Sequence, residues 1–149
     1  MTQKIPVSSS LKENIDYLNQ LFQKDITVKI RQFSNVENSD IRMCVFFVDG
    51  LTSEEFISED IIAPIMHTKQ LQEGTDLFVT VRDRVLIGCN ISCSDDMSEL
   101  LTSFLRGDAI LLTDGHPQGI IISAKNWTIR SVSEPDSERV IQGPQDRKS

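Results

Sequence analysis

The chain has 149 residues, 39% of them hydrophobic and 25% charged, with a net charge of −7 at neutral pH. That composition fits one folded globular domain and excludes low-complexity and wholly disordered classes. The acidic balance argues against nucleic acid or an anionic membrane as partner. No apolar run approaches the ~20 residues of a spanning helix, and the start lacks a secretory signal, so a soluble cytosolic chain is expected.

Residues 1–8 are polar, contain Pro6 and read as an unstructured lead-in. Ser10-Leu-Lys-Glu13 then fits a capping box, in which a hydroxyl and a carboxylate satisfy reciprocal backbone donors. Leu11, Ile15, Leu18 and Phe22 follow at helical spacing, which predicts an amphipathic helix over 10–23. Ile26, Val28 and Ile30 alternate with polar residues as in a strand with one wet face. Arg42–Val48 is nearly continuous in apolar and β-branched types and predicts a central strand buried on both faces. Asp49-Gly50 ends it, and Thr52-Ser-Glu-Glu55 fits a second capping box opening a helix through Ile62, with Pro64 disturbing its end.

Residues 67–75 read as a connection. Asp76–Leu86 carries both a strand-like alternation and a helical face, so periodicity leaves it open, and Ile87–Ser92 reads as a short extended piece. Asp95 or Asp96 can cap a helix bearing Met97, Leu100, Leu101, Phe104 and Leu105, with Gly107 just past its end. Ala109–Thr113 and Ile120–Ala124 predict strands joined by a hairpin loop, and 126–132 a third segment. The expected fold is α/β, with α+β open: a small layered domain with a mixed sheet and three to four helices. Residues 9–133 form the subdomain, and 134–149 an extended tail or linker to a continuation.

Chemical motifs are sparse. Three cysteines cannot complete an intrachain disulfide framework, and Cys44 reads as a buried thiol. Cys89 and Cys93, four apart, fit one helix face, but a structural zinc site needs two further ligands. The sequence has no nucleophile elbow and no glycine-rich phosphate cradle. Asp95, Asp96 and Glu99 lack the spacing of a calcium loop, and helix capping accounts for them. Asp49, Asp108 and Asp114 lie beside glycines at strand ends. A functional reading groups them as a ligand or cation site on one edge of the sheet; turn chemistry is the plainer account. Trp127 would either stack on a ligand or belong to the core. Motif physics stops at a layered domain that is not an enzyme and holds no cofactor or metal.

Several segments, in order, resemble one family, the A subunits of GerA-type bacterial spore germinant receptors, in their soluble N-terminal region. They are Ser9-Ser-Leu-Lys-Glu-Asn14 through Leu21-Phe22, Phe47-Val-Asp-Gly-Leu51, Ile61-Ile62-Ala-Pro64 and Leu105-Arg-Gly-Asp-Ala-Ile-Leu-Leu-Thr-Asp-Gly115. Trp127, Arg130-Ser-Val-Ser-Glu-Pro135, Glu138 and Gly143-Pro144 close the series. The resemblance implies a receptor of the spore inner membrane whose A subunit, with other A subunits and with B and C partner subunits, responds to nutrients. This region is then the first of two α/β subdomains on the cytosolic side, and Asp76–Val85 is a helix.

The family continues past Gly143-Pro144 into a second subdomain and membrane spans, whereas this sequence closes at Ser149. A cut fragment, a truncated gene product and a standalone relative are all open. The resemblance supplies no catalytic residues. The functions carried forward are an interaction and signal-coupling domain, a nutrient-binding module, or a truncated non-functional receptor fragment. The residues offered as a ligand or interface edge are Asp49, Asp108, Asp114, Trp127 and Arg130.

Overall fold

The computed structural model describes residues 5–69, 71 and 76–124. Its centre is a five-stranded sheet built from β1 (Val28–Ser34), β2 (Arg42–Val48), β3 (Cys89–Ser94), β4 (Ala109–Thr113) and β5 (Gly119–Ala124), in the order β1-β2-β4-β5-β3. Four helical segments cover it. These are α1 (Leu11–Leu21), α2 (a π-helical stretch Phe56–Ile62 running into Ala63–His67), α3 (Leu77–Thr80 running into π-helical Val81–Val85) and α4 (Met97–Leu105).

The strand pattern explains the layers. On β2, Met43, Val45 and Phe47 face one cluster with Phe56, Ile57, Ile61 and Ile65 of α2 and Val81 of α3. Cys44 and Phe46 face the other, with Leu11, Ile15 and Leu18 of α1 and Leu100 and Phe104 of α4. Successive side chains of a strand point to opposite faces, so a strand apolar at every position needs cover on both. Every residue of β4 and Met43–Phe47 of β2 are buried, which makes these two strands the middle layer of an α/β/α sandwich.

The layered α/β class is as the sequence predicts, but the sheet is not mixed: all four described pairings are antiparallel. The reason is connection length. β1–β2 and β4–β5 are joined by short loops, which suit antiparallel neighbours, whereas a parallel pair needs a long crossover. The one helical crossover between parallel strands, β3-α4-β4, has β5 inserted between its strands.

Several local expectations are corrected. The first strand begins at Val28 and runs to Ser34, leaving Ile26 86% exposed in the turn before it. The lead-in is not loose over its described part. Val7 is buried, Val7 N donates to the Asp95 carbonyl at 3.0 Å, and Met97 N donates to that of Ile5 at 2.6 Å. The segment therefore ties to the start of α4, where four helix N–H groups need partners.

The first capping box is extended by one link. Ser10 Oγ accepts from Glu13 N at 3.3 Å, but the Glu13 carboxylate accepts from Ser8 Oγ at 2.6 Å, and Ser8 Oγ accepts from Ser10 N at 3.0 Å. In the second box Ser53, not Thr52, caps the helix, its Oγ accepting from Phe56 N at 3.2 Å. The Thr52 hydroxyl instead donates to the Gly107 carbonyl. Pro64 does not end α2, which continues to His67. Its missing N–H falls where the ladder changes from π to α, after the Ala63 N–H has bonded Ser58 five residues back.

Asp76–Val85 is helical, as the family resemblance implies, and Asp76 caps it by accepting from Val79 N at 3.3 Å. Cys89 and Cys93 lie on β3 and not on a helix. At strand rise four residues span ~13 Å, too far for one metal ion. Asp96 caps α4 by accepting from Ser98 N at 3.0 Å. Gly107, with φ of +106°, turns the chain out of the helix so that Asp108 N reaches the Ser103 carbonyl at 3.1 Å. The third sheet segment and the tail lie outside the described residues.

Candidate functional site

The antiparallel register of β2 and β4 decides where the three aspartates fall. Met43 pairs with Thr113 and Phe46 with Ile110, so Asp49 and Asp108 sit at one end of the sheet and Asp114 at the other. Asp108 and Asp114 flank the five-residue strand β4 and are ~20 Å apart by strand rise. The single aspartate edge of the functional reading is therefore not assembled. Trp127 and Arg130 lie outside the described residues. Among the described residues no group of His, Cys, Asp and Glu could hold a metal ion.

Asp114 serves as a structural hub. Its Oδ1 accepts from Leu11 N at 2.9 Å, and Oδ2 pairs with Arg42 Nη2 at 2.6 Å. Its own N–H donates to the Arg42 carbonyl at 2.9 Å. The Leu11 hydrogen bond, reinforced by the Arg42 guanidinium, holds this carboxyl below the usual carboxylate range. One side chain thus fixes the start of α1 against the ends of β2 and β4, and its negative charge suits a helix N-terminus. Asp108 behaves oppositely. Burial pushes its carboxyl up, and Arg106, 4.0 Å away, offsets this in part. Asp49 is exposed, and its N–H donates to the Thr27 carbonyl at 2.7 Å.

Beside Asp114 opens a groove of about 870 Å³ between α1 and the adjoining ends of β1 and β2. Its wall includes Lys12, Asp16, Asn19, Gln32, Phe33 and Arg42. The charged groups are already matched: Lys12 pairs with Asp16 at 3.3 Å, and Arg42 with Asp114. The lining contains no His, Cys or Glu, and its polar groups offer hydrogen bonds around a modest apolar floor.

Sequence reasoning missed the groove and one buried polar hub. Asn35 is 1% exposed, and its Nδ2 donates to the carbonyls of Ile65 at 2.8 Å and Thr68 at 3.0 Å. Its Oδ1 accepts from Glu37 N and Asn38 N, each at 3.0 Å. Asn at the head of a polar turn was the available signal, and it pointed only to local turn chemistry. Across these residues the structure shows joints and a recess.

Residues 16–147 match the family of the Bacillus/Clostridium GerA spore germination protein. The chain belongs to this family. Among its relatives, a Bacillus subtilis membrane protein, YfkQ, is 30% identical over 95% of this chain and 27% of its own length. Spore germination protein B1 of Bacillus subtilis is 27% identical over 93% of this chain and 28% of itself. Spore germination protein KA of the same organism is 24% identical over 93% of the chain and 25% of itself.

The chain thus spans about a quarter of the length of these curated relatives. Among solved structures it is similar to the N-terminal domain of the A subunit of the Bacillus megaterium spore germinant receptor GerK3. The TM-score is 0.69 at 21% identity, covering 83% of this chain and 49% of that one. This likeness establishes the fold, an antiparallel sheet layered with helices. Among the described residues of this GerA-family chain, no helix is long and apolar enough to cross a membrane.

Proposed function

We propose that this chain works as an α/β subdomain of a germinant receptor A-type subunit, on the cytosolic side of the spore inner membrane. There it couples the arrangement of receptor subunits to the triggering of germination. The observation that carries this reading is the family match across residues 16–147, together with a fold shared with an A-subunit N-terminal domain. In this reading residues 9–133 are the folded unit and 134–149 lead into further receptor sequence. The partners are B- and C-type subunits and other A subunits.

The chemistry of the candidate site supports a binding role over catalysis. The aspartates act as turn and joint residues, and the charges lining the groove are matched to each other. Co-expression of the chain with the remainder of the receptor, followed by affinity purification, tests the proposal. Stoichiometric co-purification that survives salt washing is expected. Failure to associate with any receptor subunit would refute it.

The groove beside Asp114 favours a second reading, a site for a small polar nutrient. Amide chemical-shift titration with amino acids and sugars tests it, and shifts confined to α1 and the ends of β1 and β2 are expected. A flat response across the panel rejects those ligands.

A further inference from the structure

Large apolar side chains left in solvent are distributed unevenly over the described residues. Leu21 is 49% exposed, Ile26 86%, Leu51 58%, Ile87 67% and Leu105 62%. Leu21 and Leu105 are the last residues of α1 and α4, and Ile26, Leu51 and Ile87 lie in loops. The five thus mark four connections: α1 to β1, β2 to α2, α3 to β3, and α4 to β4. The strand register brings all four connections to the same end of the sheet. At the opposite end Val36 is 59% exposed, and elsewhere among the described residues Val79 and Ile5 are 38% and 37% exposed.

The connections are linked as well as co-located. The Phe22 ring lies 5.4 Å from that of Phe104, joining the C-terminal ends of α1 and α4. Asp49 N donates to the Thr27 carbonyl at 2.7 Å, joining the loops that carry Ile26 and Leu51. Leu51 lies beside Gly107, where an added Cβ would sit 3.5 Å from the Leu51 carbonyl oxygen. Turns do not need large apolar residues for their dihedrals, and apolar surface collected at one end marks a place that something covers.

The exit of the chain identifies what covers it. Ala124, the last residue of β5, pairs with Cys89, and Ile122 pairs with Ala109. The chain therefore leaves the sheet at this same end, between the strand that follows Ile87 and the strand that follows Leu105. Residues 125–149 follow from that point, and their first large apolar residues are Trp127 and Ile129. Three and five extended residues reach up to ~10 and ~17 Å. Strands spaced ~4.8 Å apart put β1, three places from β5, within ~15 Å.

We propose that the stretch following Ala124 docks across this end of the sandwich, with Trp127 set against the apolar residues at the C-terminal ends of α1 and α4. The proposal does not rest on the receptor reading, since its occupant is part of this chain.

Trp127 is the chain's only tryptophan, so its fluorescence reports on the docking directly. In the complete chain its emission should lie to the blue of free tryptophan amide and be protected from iodide. Ile26→Glu and Leu105→Glu change exposed positions, with the retained fold checked by circular dichroism. Each should shift the emission red and remove the protection, while Val36→Glu at the opposite end leaves both unchanged. Ile26→Ser gives the same test should the charge disturb the fold. Emission and quenching equal to free tryptophan in the complete chain would overturn the proposal. So would protected emission that the Ile26 and Leu105 variants leave unmoved.

Discussion

Gly119 offers the sharpest probe of how the sheet and α4 are fitted together. It opens β5, pairing with Leu112 on one side and Ser94 on the other, so it lies inside the sheet under α4. A Cβ added there would lie 3.0 Å from Leu100 Cδ2, 3.2 Å from Cγ, and closer still to Cδ1. Carbon atoms pack at about 3.5–4.0 Å, so the nearest Leu100 methyl would have to retreat by more than ~1 Å. Leu100 is fully buried in the cluster that holds Phe46, Phe104 and Met97, which leaves it nowhere to go.

Gly119→Ala should therefore cost ~1–3 kcal/mol through overpacking. Leu100→Ala alone should cost ~2–5 kcal/mol through the cavity it leaves. In the double variant the new methyl occupies part of that cavity, so the combined loss should fall short of the sum by ~1 kcal/mol or more. Urea unfolding followed by far-ultraviolet circular dichroism measures all four stabilities, with a constant m-value as the check on two-state behaviour. A Gly119→Ala chain within ~0.5 kcal/mol of the parent, or strictly additive singles, would refute this account of the β5–α4 contact.

Other expectations concern the polar joints and thiols. Asp114→Asn keeps an acceptor for the Leu11 N–H but loses the charge facing Arg42, and should cost ~1 kcal/mol at neutral pH. Because the folded carboxyl titrates below its unfolded value, its contribution is complete above ~pH 4 and is lost as pH falls through the folded value. The gap between parent and variant should accordingly narrow as pH falls below the unfolded value of ~4, read from urea midpoints across pH. Asn35→Asp removes two buried donors while keeping two acceptors, and should cost ~2–4 kcal/mol by the same assay. Burial pushes the Cys44 thiol up to about 12, so it should resist a thiol reagent at pH 8 until the chain unfolds, whereas Cys89 and Cys93 are partly accessible and label first. That raised thiol also favours the folded state below ~pH 8.5, an advantage lost as pH rises toward the folded value.

The sequence by itself determined the layers. Runs such as Arg42–Val48 and Ala109–Thr113 carry apolar side chains on both faces of a strand, so helices had to cover both sides, and the amphipathic stripes of α1 and α4 supplied one of them. Local chemistry was also legible where a single side chain meets its own backbone, as at Ser10, Asp96 and Gly107. The family was legible through an ordered series of short segments, none distinctive alone.

Tertiary structure decided everything that depends on which strand lies beside which. Asp49, Asp108 and Asp114 look equivalent along the chain, yet antiparallel pairing of β2 and β4 sends the third to the far end of the sheet. Thr52 resembled a helix cap until its hydroxyl was drawn to the Gly107 carbonyl, and Ser53 took its place. The apolar residues Leu21, Ile26, Leu51, Ile87 and Leu105 are isolated in sequence, and only the register gathers them at one end. Capping and periodicity act over a few residues and can be read locally. Strand order is set by long-range burial, which no local window contains.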